Sequence, residues 1–231
     1  MKRSKLYKAR IAAVDKAASY SLLDAVKVLQ SMPKPKFDES LDVAFRLGID
    51  TRQSDQNVRG AVTLPNGTGK SIKVVVVAEG EAAEAAKGAG ADEVGSADLI
   101  EKIKGGWTDF DVLVATPAAM KEVRTLGRVL GPRGLMPNPK TGTVTDDTAT
   151  AVQESKAGRV EFRADKGGVA HMPLGKVSFE ADKIVENAEA AINAILKARP
   201  ASTKGNYLLS CTLSATMSPG VKIDLKDILK V

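Results

Sequence analysis

The chain has 231 residues, 43% of them hydrophobic and 27% charged, which is enough apolar material for one large core or two ordinary ones and too much for a disordered chain. Its single cysteine, Cys211, excludes an internal disulfide and any paired-cysteine zinc pattern, and no run approaches the ~18 unbroken apolar residues of a membrane span. A net charge of +6 points to an anionic partner without choosing between RNA, DNA and acidic protein.

The charge is unevenly spread. Residues 1–66 hold 12 basic and 7 acidic side chains, residues 67–157 hold 11 and 13, and residues 158–231 hold 11 and 8, so the basic excess lies at both chain ends. The opening Met1, Lys2, Arg3, Ser4 and Lys5 have no apolar signal core, so a cytoplasmic protein that neither is secreted nor spans a membrane is expected.

In chain order, helical composition covers Lys5 to Ala18 and Leu22 to Ser31. Ser21 and Asp24 match a variant of the capping box, in which the serine oxygen accepts a free backbone N–H of the first turn. From Leu41 to Ile49 the residues alternate strictly, with Leu41, Val43, Phe45, Leu47 and Ile49 on one face, which predicts a strand with one buried side. Val74 to Ala78 and Val112 to Ala115 are instead unbroken apolar runs, as in parallel strands covered on both faces. Helical stretches at Glu81 to Lys87, Ala97 to Lys104 and Ala118 to Leu130 alternate with them, which predicts a small doubly wound domain.

Beyond it, strands are predicted near Val160 to Arg163 and Val169 to Met172. An amphipathic helix follows, carrying Ile184, Ala188, Ala191, Ile192 and Ile195 on one face. A final alternation of Tyr207, Leu209, Cys211, Leu213, Ala215 and Met217 predicts a long half-covered strand.

The first 66 residues are marginal material for a core of their own, so they are expected to fold with the distant end. The fold class is therefore α/β with two domains. Residues 1–66 plus 158–231 form an α+β domain with a mainly antiparallel sheet, and residues 67–157 form an inserted doubly wound, Rossmann-like domain. The chain then crosses between domains twice, near Gly67, Thr68 and Gly69 and near Gly158. Glycine at both crossings suggests a two-stranded hinge; ordinary turn glycines in a rigid interface are the alternative.

Several segments imitate chemistry. Asn66 to Ser71 reads NGTGKS, but a phosphate-binding loop needs glycine where Leu64 stands, and the segment precedes a strand instead of joining strand to helix. His171, the only histidine, has no second histidine and no cysteine beside it in sequence, so neither a metal cluster nor a Ser-His-Asp relay is expected around it. Asp109 and Asp111 at a strand entrance fit turn chemistry better than acid–base work. Gly131 to Gly142, reading GPRGLMPNPKTG, is a long connection stiffened by three prolines and three glycines. It either presents something, with Arg133 and Lys140 able to meet phosphate, or only closes the inserted domain.

At this loop, LGPRGLMPNPKTGTV from Leu130 to Val144 resembles the bacterial large-subunit ribosomal protein L-one family. LGID at Leu47 to Asp50, SDQNVRG at Ser54 to Gly60, KAGRVEFRADK at Lys156 to Lys166, and the Thr216–Met217 pair are similar to family segments in the same order. The resemblance covers nearly the whole chain and implies a non-enzymatic, cofactor-free and metal-free protein, monomeric when free. Its implied partners are large-subunit ribosomal RNA, where it would build the mobile stalk beside the tRNA exit site and aid release of deacylated tRNA, and its own operon messenger RNA, which it would repress. Matching the family's RNA-contacting motif picks out Lys36, Phe37 and Ser40 before the first strand and Thr216, Met217 and Ser218 after the last long one. Ser40 stands where threonine is usual, and Ser218 where glycine is usual, which leaves the local backbone geometry open. Arg163, Asp165 and Lys166 match a further segment expected near the same surface. Lys36 would meet phosphate, Phe37 and Met217 would supply apolar surface, and the hydroxyls would reach 2′-OH groups or base edges. The rivals are a nucleotide-dependent enzyme and a free-standing regulator of messenger RNA.

Overall fold

A computed structural model describes residues 3–15 and 18–228. The first stretch of chain gives helices α1 (Lys5–Ala12) and α2 (Leu22–Ser31) and strands β1 (Ser40–Leu47) and β2 (Arg59–Thr63). The middle runs β3 (Val74–Val77), α3 (Glu81–Gly88), β4 (Glu93–Gly95), α4 (Ala97–Lys104), β5 (Val112–Ala115), α5 (Met120–Val123), α6 (Gly127–Leu130) and α7 (Thr148–Ala157). The remainder is β6 (Arg159–Arg163), β7 (Val169–Lys176), α8 (Ala181–Lys197), β8 (Leu208–Ala215), β9 (Val221–Ile223) and α9 (Leu225–Ile228). Two compact units result: Met1–Gly69 with Val160–Val231, and Lys70–Arg159.

The first unit is built on an antiparallel sheet in the order β7-β1-β8-β9. Leu41, Val43, Phe45 and Leu47 of β1 are buried, as the alternation predicts, with α2 and α8 packed on that side through Val26, Leu29, Ile184, Ala188 and Ile195. Neither chain end supplies this core alone, since β1 lies between β7 and β8 from the far end of the sequence. β2 pairs with β6 in a separate two-stranded sheet. Ser21 caps α2, its oxygen accepting from Asp24 N at 3.2 Å while its hydroxyl donates to Asp24 Oδ2 at 2.7 Å.

Several elements differ from the sequence expectation, each for a local reason. α1 stops at Ala12, because it lacks a continuous apolar face to hold it down and the chain soon joins the sheet by a bridge from Tyr20 to Ile223; residues 16 and 17 of the expected helix lie outside the described residues. β7 continues past Met172 through Pro173 and Gly175 to Lys176. Proline is tolerated there because β7 is an edge strand, and Leu174 is an extra residue where pairing shifts from Leu41↔Gly175 to Asp42↔Pro173. In β8 the alternation breaks at Leu209: pairing jumps from Arg46↔Ser210 to Leu47↔Leu208, so Leu208 is buried and Leu209 is pushed outward, 45% exposed. The stretch from Ala118 to Leu130 is two short helices joined by a tighter turn at Arg124–Leu126, where Thr125 and Gly127 are weak helix formers.

The second unit holds the parallel sheet β4-β3-β5. Val75 and Val77 face one core with Leu99, Ile103, Leu126 and Leu130, while Val74 and Val76 face another with Ala86, Ala151 and Val152. Two covered faces are what an unbroken valine run requires.

Candidate RNA interface

The segment before β1 contains Pro33 and Pro35, which stiffen it, and ends on Glu39, a carboxylate only 4% exposed. A charge so deeply buried needs a partner, and α1 supplies it. Arg10, 1% exposed, donates to Glu39 Oε1 at 2.9 Å and Oε2 at 2.8 Å, and its Nε and Nη2 also donate to the Pro33 carbonyl at 2.9 and 2.6 Å. The same Glu39 Oε1 accepts the backbone N–H of Met217 at 2.8 Å. Hydrogen bonding from Arg10, helped by the Met217 N–H, holds the Glu39 carboxyl below the usual carboxylate range.

One residue further on, the two loops are joined again. Ser40 N donates to Thr216 Oγ1 at 3.1 Å and Thr216 N donates to Ser40 O at 3.1 Å, while the ammonium of Lys176 reaches Ser40 Oγ at 3.1 Å. Around this junction Phe37 is 52% exposed and Met217 49%, and Lys36 is exposed as well. Ser218 completes the turn after β8, its hydroxyl oxygen accepting from Ala215 N at 2.8 Å. Among the described residues only glycines have positive φ, so Ser218 needs no left-handed backbone.

Lys36, Phe37, Ser40, Thr216, Met217 and Ser218 are thus brought together. Arg163, Asp165 and Lys166 are not. They lie on β6 and in the turn into β7, beside the far end of β1: Arg46 pairs with Val169, whereas Ser40 pairs with Lys176. Ser40 and Arg46 lie six positions apart along β1, roughly 20 Å at about 3.3 Å per residue. Arg163 and Lys166 are exposed, and Thr51 Oγ1 donates to the Lys166 carbonyl at 2.9 Å. Asp165 Oδ1 accepts from Val169 N at 3.0 Å and Gly167 N at 2.8 Å, bonds that hold its carboxyl below the ordinary range. These bonds shape the turn.

Between the groups runs the face of the sheet turned away from the helices. Apart from His171, sequence reasoning did not single out its side chains, which the register aligns in rows: Arg46 with Ser210, and His171 with Ala44 and Thr212. The signal was present in the polar half of each alternating strand, but only the pairing shows which residues share a row.

The segments that imitate chemistry find structural employment. Asn66 and Gly67 of the NGTGKS run are tied to the buried Asn187 of α8, which accepts from Asn66 N at 3.0 Å and donates to the carbonyls of Gly67 at 3.0 Å and Leu174 at 2.7 Å. Gly69, at φ +69°, faces the Phe179 ring so closely that a Cβ would meet it at 2.8 Å. Asp111 accepts from Lys73 N at 3.0 Å, and Asp109 pairs with the Lys73 ammonium at 2.7 Å. The stiff loop after Gly131 returns to β5 through bonds between Ala115 and residues Thr143 and Thr145, leaving Arg133 and Lys140 exposed. Among the described residues no group of histidine, cysteine and carboxylate side chains is arranged to hold a metal, and no helix is long and apolar enough to cross a membrane.

Residues 28–219 match the model of the ribosomal protein L1p/L10e family. The chain belongs to that family. It is 54% identical to the large ribosomal subunit protein uL1 of Lactobacillus delbrueckii subsp. bulgaricus over 223 residues, covering 96% of each chain. It is also 54% identical to the protein of that name from Macrococcus caseolyticus over 227 residues, 98% of each. The family is a structural, non-enzymatic component of ribosomes, and this chain is accordingly not an enzyme.

Proposed function

We propose that the chain is a structural protein of the large ribosomal subunit that grips ribosomal RNA with the paired loops of its first unit. The observation that carries this reading is the hydrogen-bonded junction of Ser40 with Thr216, around which Lys36, Phe37 and Met217 stand exposed. Exposed apolar side chains beside hydroxyls and an ammonium suit unstacked bases, 2′-OH groups and phosphate. Arg163 and Lys166 extend the contact toward the other end of the sheet, and Asp165 holds their turn.

In this reading the protein forms the mobile stalk at the tRNA exit site and aids release of deacylated tRNA. The inserted unit offers exposed Lys121, Arg124, Arg128, Arg133 and Lys140, with no acidic side chain from Val123 to Thr145, as a surface for the tRNA backbone. The two units move about the double crossing, with Gly67 and Gly69 anchored on the first unit and Gly158, at φ 106°, ending α7 at the return crossing. The same loops bind the protein's own messenger RNA and repress its translation when the cytoplasmic, monomeric protein is in excess.

Crosslinking in cells followed by sequencing of the bound RNA tests this without assuming a partner. Large-subunit ribosomal RNA is expected as the main product, with exit-site tRNA and one messenger RNA beside it. Recovery of messenger RNA alone would instead support a free-standing regulator.

A further inference from the structure

We propose that Arg10 and Glu39 are positioning residues for RNA, an ion pair that clamps the Lys36–Phe37 loop and the Met217 loop in the one arrangement RNA meets. This rests on the assignment of those loops as the RNA site.

The geometry is that of a clamp with three jaws. The Arg10 guanidinium grips the Pro33 carbonyl at one end of the loop and the Glu39 carboxylate at the other, so Lys36 and Phe37 lie in a segment held at both ends and stiffened within by Pro35. Glu39 Oε1 passes the constraint across to the second loop by accepting Met217 N. Neither clamping residue is itself exposed, since Arg10 and Glu39 are 1% and 4% accessible. An ion pair this deeply buried is a poor way to gain stability, because the cost of stripping water from both charges commonly equals or exceeds their attraction, and apolar residues of similar volume often serve as well. What the pair supplies that apolar residues do not is directional bonding to two carbonyl or amide groups of loops that would otherwise wander. Preorganised loops bind with less ordering cost.

The test compares two double variants in the full chain for affinity to a large-subunit ribosomal RNA fragment. Arg10→Met with Glu39→Met removes both charges and the acceptor for Met217 N. Arg10→Met with Glu39→Gln removes both charges and keeps an acceptor. The first is expected to bind roughly threefold to tenfold more weakly, the effect of about one lost hydrogen bond, with a melting temperature no lower than that of the second. The second keeps the acceptor for Met217 N but loses the grip on Pro33, so its affinity should fall between the first variant and the parent, about twofold to threefold below the parent. The slope of affinity against salt should be unaltered in both, because no phosphate contact is lost.

Equal affinity in the two double variants overturns the clamp, as does a loss that simply follows melting temperature. If the apolar pair does not fold, Glu39→Asp replaces it: the shorter carboxylate keeps the charge for Arg10 but withdraws from Met217 N, and affinity within twofold of the parent overturns the proposal. Met217→Ala, measured alongside, separates the two levels. A loss there without one in the clamp variants leaves the loops as the RNA site and removes the clamp; no loss in Met217→Ala removes both.

Discussion

Thr216 illustrates how little of a binding residue's role is visible at the residue itself. Its backbone and hydroxyl are both engaged with Ser40, so its side chain serves the junction of the loops as well as any ligand. Replacing Thr216 or Met217 with alanine is expected to weaken binding of the ribosomal RNA fragment by about 1–3 kcal/mol, read by titration calorimetry on variants whose melting is unchanged. Lys36→Ala should act differently, flattening the salt dependence of binding by about one phosphate contact, since its ammonium is exposed and charge is what it offers. Glu39 adds a pH dependence to stability. Its carboxyl is held below the ordinary range in the folded chain, chiefly by Arg10, so its contribution is present above the unfolded value of about 4.3 and fades as pH falls through the folded value. The urea midpoint should therefore drop more steeply on acidification in the parent than in Glu39→Gln; parallel acid limbs would contradict this.

At the scale of elements, α8 does more than bury an apolar stripe. Asn187 lies on its inward face, wholly buried, and satisfies Asn66 N and the Gly67 and Leu174 carbonyls at once. Asn187→Leu keeps comparable bulk but leaves those three groups without their partner, which is expected to cost about 1–3 kcal/mol for each that remains dry, measured as the loss in unfolding free energy in urea. A change under about 0.5 kcal/mol would mean that water replaces the side chain. The bulges belong to the same scale. Leu209 leaves the core because β8 carries one residue more than β1 can match, and Leu174 is the corresponding extra residue of β7. Strict alternation misassigns such a position, since an inserted residue reverses the face of everything on one side of it.

For the whole molecule, the unit made from both chain ends has its own continuous core, running from α2 and α8 through β1, β7 and β8. Residues 1–69 joined by a short linker to 160–231 should therefore fold and bind the RNA fragment within about tenfold, or 1.4 kcal/mol, of the full chain. A larger loss in a folded protein would place essential contacts on the inserted unit. The NGTGKS run should yield no binding of ATP or GTP by calorimetry, because its glycines are committed to α8 and the Phe179 ring.

By itself the sequence determined the elements and their class. The period-two pattern of β1 marks one covered face, the four valines of β3 mark two, and the motifs from Leu47 to Met217 mark the family. These were legible because each depends on neighbours a few positions away or on a run of specific residues. Only the tertiary structure decided which distant residues meet. Arg10 was an undistinguished basic residue in a weakly amphipathic helix, Glu39 an ordinary acid before a strand, and Arg163 to Lys166 a motif expected near the same surface. Register placed that last group at the opposite end of the sheet and set Arg10 and Glu39 beneath the loops. The physical reason is that hydrophobic periodicity records which side of an element is buried, whereas hydrogen bonds between segments some 180 residues apart, such as Ser40 and Thr216, leave no periodic trace in the chain.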